Sequence, residues 1–258
     1  MNGQPESNNK LWLEAWPNRL TPLVDLICLP GAGAGASTFR SWHRSLPGFF
    51  ALYAGQLPGR ENRIDEAAET DLAQVVQHLT SSYLGHHSTS RPLIIFGHSM
   101  GGVIAFELAR ELRRRDCPVS GLVMSATTPP RPNVHSSTLS EPMLKRMLLA
   151  YDVDNQSMVA NDELFASLAP VLRSDFQLLR SHVIDPSCSL PDVDTHLLSG
   201  NGDPVVAFEA VAKWRVHFDG PVSHHRYDGG HHFPFKETEP QILALLTKLA
   251  RRALGKRG

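Results

Sequence analysis

Short, nearly unbroken apolar runs alternate with stretches of helical period along most of this chain. That alternation limits the fold more than any other feature. LVDLICL (23–29), FFALYAG (49–55), PLIIFGH (92–98), GLVMSAT (121–127), THLLSG (195–200) and a stretch near 222–228 read as strands. Helical stretches fall between them, around 37–46, 70–84, 100–115, 208–218 and 240–254. In the second of these, Leu72, Val75, Val76, Leu79 and Tyr83 recur at the helical spacing. Strands that are apolar throughout need cover on both faces, which is the situation of a parallel sheet flanked by helices. The pattern predicts the α/β class, with a mostly parallel central sheet and helices on both faces.

The alternation breaks between about 129 and 190. EPMLKRMLLAY, NDELFASLAPVL and SDFQLLRSHV read as helices there, with no obvious strand. A helical insertion late in such a sheet, near its ligand-binding edge, is expected to be a lid. The 258 residues fit one domain, 11–258, carrying that insertion. The first ten residues and the basic GKRG tail are expected to be disordered. MNGQPESNNK lacks the apolar centre of a secretory signal, and no run approaches the ~20 residues of a membrane span. Cys28, Cys117 and Cys188 form no CxxC pair, so they suggest neither a disulfide framework nor a zinc knuckle. They read as reduced thiols, and the expected setting is the cytoplasm. A formal net charge of −1 gives no electrostatic case for nucleic acid or an anionic membrane. No heptad or repeat argues against a monomer.

Three loops, at 30–37, 97–102 and 127–132, each follow a strand. They belong on one sheet edge, where ligands bind in this class. In the second, Gly97-His98-Ser99-Met100-Gly101 fits G-x-S-x-G, with LIIF before it and VIAFELARELRRR after it. Strand, tight turn and helix are the context that makes such a serine a nucleophile. The competing reading is a serine that merely caps the helix. A serine nucleophile needs a base, and the base needs an acid, in the chain order Ser, Asp/Glu, His. Asp203 follows THLLSG in Asn201-Gly202-Asp203-Pro204, where it also fits a turn or N-cap aspartate. Asp228-Gly229-Gly230-His231-His232 follows the next strand, and spacing does not choose between His231 and His232 as the base. His98 precedes the acid in the chain and is a poor base candidate. The pairs at 86–87 and 224–225 read as loop and strand surface, and no metal-ligand spacing is apparent. The N–H of Met100 suits one oxyanion donor. The small-residue loop Pro30-Gly31-Ala32-Gly33-Ala34-Gly35-Ala36 suits the other. That loop lacks the G-x-G-x-x-G spacing, and no GK[ST] follows it, so no nucleotide is expected.

LPGAGAGAS, QLPGREN, FGHSMGG, SGNGDPVV and GGHHFPF occur in the order seen in type II thioesterases, and the stretch LRSDFQLL also resembles theirs. The similarity runs from about residue 20 to 250. These are stand-alone α/β-hydrolases that accompany nonribosomal peptide and polyketide synthases. The resemblance implies the α/β-hydrolase fold with a helical lid, Ser99 as nucleophile, Asp203 as acid and His231 as base. It maps the oxyanion donors to the N–H groups of Ala32 and Met100. His232 stands where the family carries an aromatic residue, and Gly31 stands where relatives often carry histidine or tyrosine. The implied activity is hydrolysis of acyl groups from phosphopantetheine thioesters on acyl or peptidyl carrier proteins, clearing stalled or mis-primed synthases. The enzyme is expected to need no cofactor and no metal, because the substrate itself carries the phosphopantetheine.

Leu144, Met147, Leu148, Phe165, Leu168 and Phe176 are candidates to line the acyl chamber, although lid-to-core packing accounts equally well for most of them. Arg60, Arg63, Arg131 and Arg146 are weak candidates to meet an acidic carrier protein. Four other readings stay open: a carboxylesterase or lipase on free esters, a medium-chain fatty acyl thioesterase, an acyltransferase, and a noncatalytic hydrolase-fold scaffold.

Overall fold

The computed structural model describes residues 12–86, 90–130, 139–184 and 189–256. The N-terminal ten residues, the last two of the GKRG tail, Arg131 and Cys188 lie outside the described residues, as does the side chain of the 86–87 histidine pair. Seven strands form one sheet: β1 (Leu13–Ala15), β2 (Val24–Leu29), β3 (Phe50–Gly55), β4 (Leu93–His98), β5 (Val119–Ser125), β6 (Asp194–Gly200) and β7 (Val222–Tyr227). Their order is β1-β3-β2-β4-β5-β6-β7. Every pairing is parallel except β1 with β3, where Leu13 faces Gly55 in antiparallel register. β1 was not among the expected strands. It is three residues long and only Leu13 is fully buried, so it carries no apolar run to mark it.

Strand side chains alternate between two cores. Ile27, Leu29 and Ile95 join the layer under α2 (Leu72–His86) and α3 (Met100–Arg114). Leu26, Cys28, Ile94 and Phe96 join the layer under α1 (Arg40–Ser45) and α8 (Glu239–Gly255). This explains why the sequence shows runs and not alternation: both faces of the sheet are dry. Full burial of each such Leu or Ile side chain stabilises by roughly 1.5–3 kcal/mol. Cys28 and Cys117 are free and buried in this core.

The chain between β5 and β6 holds α4 (Glu141–Tyr151), α5 (Gln156–Ala160) and α6 (Asp162–Arg180). The two stretches NDELFASLAPVL and SDFQLLRSHV, expected as separate helices, are one helix, α6, with Pro170 inside it. Pro170 and Ala166 both lie on the exposed face. The carbonyl that loses its N–H partner is therefore open to water, and the break that a buried proline would cause is avoided. The insertion has its own small core of Leu139, Leu144, Leu148, Phe165, Ala169 and Leu172. The remaining helix, α7 (Phe208–Ala212), follows β6 and leads into a 3-10 turn over Lys213–His217. No helix among the described residues is long and apolar enough to cross a membrane.

Candidate active site

Ser99 joins β4 to α3 with φ 53° and ψ −116°, a left-handed φ that a non-glycine residue holds only when its surroundings impose it. Its N–H donates to the Ser125 carbonyl at 2.8 Å, and its own carbonyl accepts from Gly102 N–H at 3.0 Å. The flanking glycines are required by contact. A Cβ on Gly97 would lie 2.1 Å from the Gly101 carbonyl oxygen, and one on Gly101 would lie 2.1 Å from that of Leu29. The Ser99 hydroxyl makes no capping hydrogen bond to α3, so the capping alternative does not describe it. Met100 is the first residue of α3, where a helix N–H has no intrahelical acceptor.

Asp203 makes the contacts of a turn aspartate and also meets a histidine. Its Oδ1 accepts from Val205 N–H at 2.8 Å and Val206 N–H at 3.0 Å, as an aspartate in a turn does. That leaves Oδ2 free for His231 Nδ1 at 2.9 Å, with both side chains fully buried. The other ring nitrogen of His231, Nε2, is buried and has no hydrogen-bond partner among the described residues. His232 is turned elsewhere, its Nδ1 lying 3.3 Å from Asp152 Oδ2 at the end of α4. The neighbour of each ring thus separates two histidines that spacing left equivalent. Tyr151, the last residue of α4, stacks on His231 with centroids 4.7 Å apart and planes 23° from parallel. Burial, and then the Asp203 charge, push its phenol well above its ordinary range, so it stays neutral.

His98 is buried against Ser125 Oγ at 3.2 Å, with its ring 5.0 Å from that of His231. Burial, and then the neighbouring His231 and His232, hold it far below the ordinary imidazole value. Burial also lowers His232, followed by His231, against the opposing pull of Asp152. Asp152 is raised by burial, but its hydrogen bonds to Lys236, to the Asp154 backbone and to His232 win, and it sits below the usual carboxylate range.

Ser99, His98, His231 and His232 open onto one cavity of about 380 Å3. Gly31, Ala32, Gly33 and Ala34 form one wall, while Leu148, Tyr151, Met158, Leu168 and Leu172 of the insertion form another. Of the six expected chamber residues, Leu148 and Leu168 reach the cavity. The other four pack within the insertion's own core. A larger open groove of about 520 Å3 lies between α2 and α3, but Glu107, Arg110, Glu111 and Arg114 line it as ion pairs and it holds no nucleophile. Among the described residues no cluster of three or more His, Cys, Asp or Glu is placed to hold a metal.

The carrier-docking suggestion for Arg60 and Arg63 is overturned. Each is 4% exposed. Arg60 forms a two-pronged ion pair with Asp175 of α6 (Nη1–Oδ2 2.8 Å, Nη2–Oδ1 2.6 Å). Arg63 pairs with Glu66 and the Gln56 carbonyl, beneath the Trp12 ring. Arg146 is exposed. Asp175, Tyr151 and Asp152 went unnoticed in the sequence. Asp175 left a trace: it is an acidic residue three positions beyond Leu172, on the buried stripe of an amphipathic helix.

A mostly parallel sheet with a sharp serine turn after β4, and a buried Asp–His pair in the loops after β6 and β7, define the α/β-hydrolase class. A family model described as thioesterase domain matches residues 24–249, and the chain belongs to that family. It is a thioester hydrolase. The chain is similar to thioesterase PikA5 of Streptomyces venezuelae, at 30% identity over 86% of this chain and 80% of that protein. It is also similar to the gramicidin S biosynthesis protein GrsT of Aneurinibacillus migulanus, at 29% identity over 95% and 96%. Among solved structures, the type II thioesterase BorB from the borrelidin biosynthetic cluster superposes with a TM-score of 0.81, at 27% identity over 93% of this chain and 97% of that one.

Proposed function

We infer that this thioesterase hydrolyses acyl groups from phosphopantetheine thioesters on carrier-protein domains, clearing stalled or mis-primed nonribosomal peptide or polyketide synthases. The observation that carries the reading is the buried Asp203–His231 pair, whose unpartnered Nε2 shares one cavity with the strained Ser99. His231 Nε2 takes the Ser99 proton as the hydroxyl attacks the thioester carbonyl. This hydrogen bond forms when bound substrate aligns the hydroxyl, as often happens in hydrolases that are open without substrate. The Ala32 and Met100 N–H groups receive the oxyanion. The departing thiolate takes the proton back from His231, which restores the neutral base; with a thiol pKa of ~8.5, departure needs less help from that proton than an amine would. Water, giving its proton to His231, then attacks the acyl-serine, and His231 returns that proton to Ser99 Oγ as the acid is released. No step calls for a cofactor or metal. A soluble cytoplasmic monomer that meets carrier domains through its lid side suits this role, and exposed Arg146 remains a candidate contact.

Ala32 sits at the second position of a turn closed by Ala34 N–H on the Gly31 carbonyl, with Gly33 at φ 78° in the third. That is the pattern of a type II turn, whose second position accepts proline. Ala32→Pro therefore removes the proposed donor while keeping the turn. We expect a folded protein with kcat reduced about 10²–10³-fold. The deciding experiment for the function compares an acetyl-phosphopantetheinyl carrier protein, acetyl-CoA and p-nitrophenyl acetate, with wild type and Ser99→Ala. A Ser99-dependent preference for the carrier-bound thioester supports the editing role. A preference for the oxygen ester would move the protein toward free-ester hydrolysis.

A further inference from the structure

The loop that carries Ala32 is gripped from the lid. Gly33 N–H donates to Asp175 Oδ2 at 2.7 Å. The same carboxylate holds Arg60, and Arg60 Nη1 in turn donates to the Ala34 carbonyl at 3.2 Å. Two successive residues of the turn are thus fixed, one through its N–H by the carboxylate and the next through its C=O by the guanidinium. Arg60 is itself anchored: Gln56 Nε2 donates to its carbonyl at 3.0 Å, and Gln56 Oε1 accepts from Ala36 N–H at 2.7 Å. The Asp175 side chain is 0% exposed and that of Arg60 5%.

A buried ion pair of this kind is poorly explained by stability. An apolar pair of similar volume is often neutral or more stable, because the charges pay no desolvation there. What an apolar pair lacks is an acceptor for Gly33 N–H. Oxyanion donors act only when aimed at the developing charge, and displacements well below the width of an atom weaken them.

We propose that Asp175 and Arg60 are positioning residues for the reaction: the lid carboxylate, oriented by the guanidinium, holds the 31–34 turn so that the Ala32 N–H is aimed at the oxyanion. This rests on the reading of Ala32 as a donor given above. The lid then has a part in the chemistry besides covering the cavity, because one of its helices completes the oxyanion loop.

The test uses Asp175→Asn and the charge-free double variant Arg60→Met with Asp175→Leu, beside Ala32→Pro and Ser99→Ala. Each is assayed for kcat and KM on an acyl thioester, and for inhibition by an alkylboronic acid, which becomes a tetrahedral anion on Ser99. The double variant should fold, with kcat and boronate affinity both lower by about 100-fold and KM within about threefold of wild type. Asp175→Asn, which keeps an acceptor of weaker charge, should lose about tenfold in both. A folded double variant with wild-type kcat overturns the proposal. So does a loss of kcat without a matching loss of boronate affinity. If the double variant does not fold, Asp175→Asn decides on the same two readouts. The controls separate the levels of inference. An active Ala32→Pro removes the donor assignment itself, whereas an inactive Ala32→Pro beside active clamp variants removes only the clamp. Boronate binding that survives in Ser99→Ala would remove the serine reading.

Discussion

Two of the ionic contacts between the lid and the body of the enzyme differ in nearly every physical respect. At the α6 end, Asp175 and Arg60 are dry, two-pronged and tied to backbone. At the α4 end, Asp152 accepts from Lys236 at 2.8 Å and lies 3.3 Å from His232, while Asp154 accepts from Lys236 at 2.8 Å; the His232 and Lys236 side chains are 36% and 37% exposed. Opening the first contact would strand buried charges, whereas opening the second returns groups to water that already reaches them. The α4 edge of the lid should therefore open more readily than the α6 edge. The α6 edge holds the proposed oxyanion loop, and the releasable α4 edge lies beside His231, the proposed base.

The strongest way to break this contrast is Arg60→Ala, which leaves Asp175 buried without its counter-charge. It should lower the unfolding free energy by about 3–5 kcal/mol in urea titrations. A loss below about 1 kcal/mol would make the two contacts alike. Next comes Tyr151, which couples the releasable edge to His231 by stacking. An aromatic pair is worth about 0.5–1.5 kcal/mol, so Tyr151→Ala should reduce kcat by up to about tenfold while Tyr151→Phe stays near wild type. Lys236→Met should change global stability by less than about 1 kcal/mol. Its effect should show in amide hydrogen exchange, faster across Glu141–Tyr151 and Gln156–Ala160 but unchanged in the middle of α6. Concentrated salt should act on wild type in the same direction, because exposed pairs are screened and buried ones are not.

The smallest effect is a baseline taken away from both contacts. His224 stacks on Phe208 and bonds Ser199 Oγ at 2.9 Å. Burial first, then Arg226 and His225, bring it down from 6.5 to about 4, against the opposing pull of Glu209. In that window the unfolded chain binds the proton and the folded one does not, so stability falls as pH drops from 6.5 toward 4 and levels off below. His224→Gln should flatten that slope by at most one proton, measured by denaturant titration at several pH values. An unchanged slope would mean that the other histidines held below their ordinary value, His98 and His232 among them, carry it.

The parts of the molecule legible in the sequence were those whose signal is local. Five strands, β2 to β6, announced themselves because parallel strands with two dry faces are apolar throughout, and the serine turn because its glycines and its helix adjoin it; β7, at the sheet edge and only half-buried, carries no such run. β1 was hidden because a three-residue edge strand has no room for a pattern. Spacing narrows the base to two adjacent histidines and no further, and only the family resemblance names His231, since the choice depends on which carboxylate each ring meets, and Asp152 and Asp203 come from different elements. Arg60 read as a surface cation because a turn motif carries no burial signal, and its partner lies 115 residues away. The continuity of α6 through Arg173, with Pro170 inside the first of the two stretches, was also unreadable, because the tolerance of that proline depends on which face of α6 meets water.

Sequence separation also bears on when the site comes into being. The His231–Asp203 bond spans 28 residues, but the Gly33–Asp175 bond spans 142. Closing the longer loop carries an extra entropic penalty of about 1.4 kcal/mol if the chain between is flexible. During refolding the Asp203–His231 pair can therefore form with the strands that lead into it, while the 31–34 turn, the proposed oxyanion loop, waits for the lid to dock. Recovered enzymatic activity should lag behind recovered sheet structure, with the delay set by α6 and not by the serine turn.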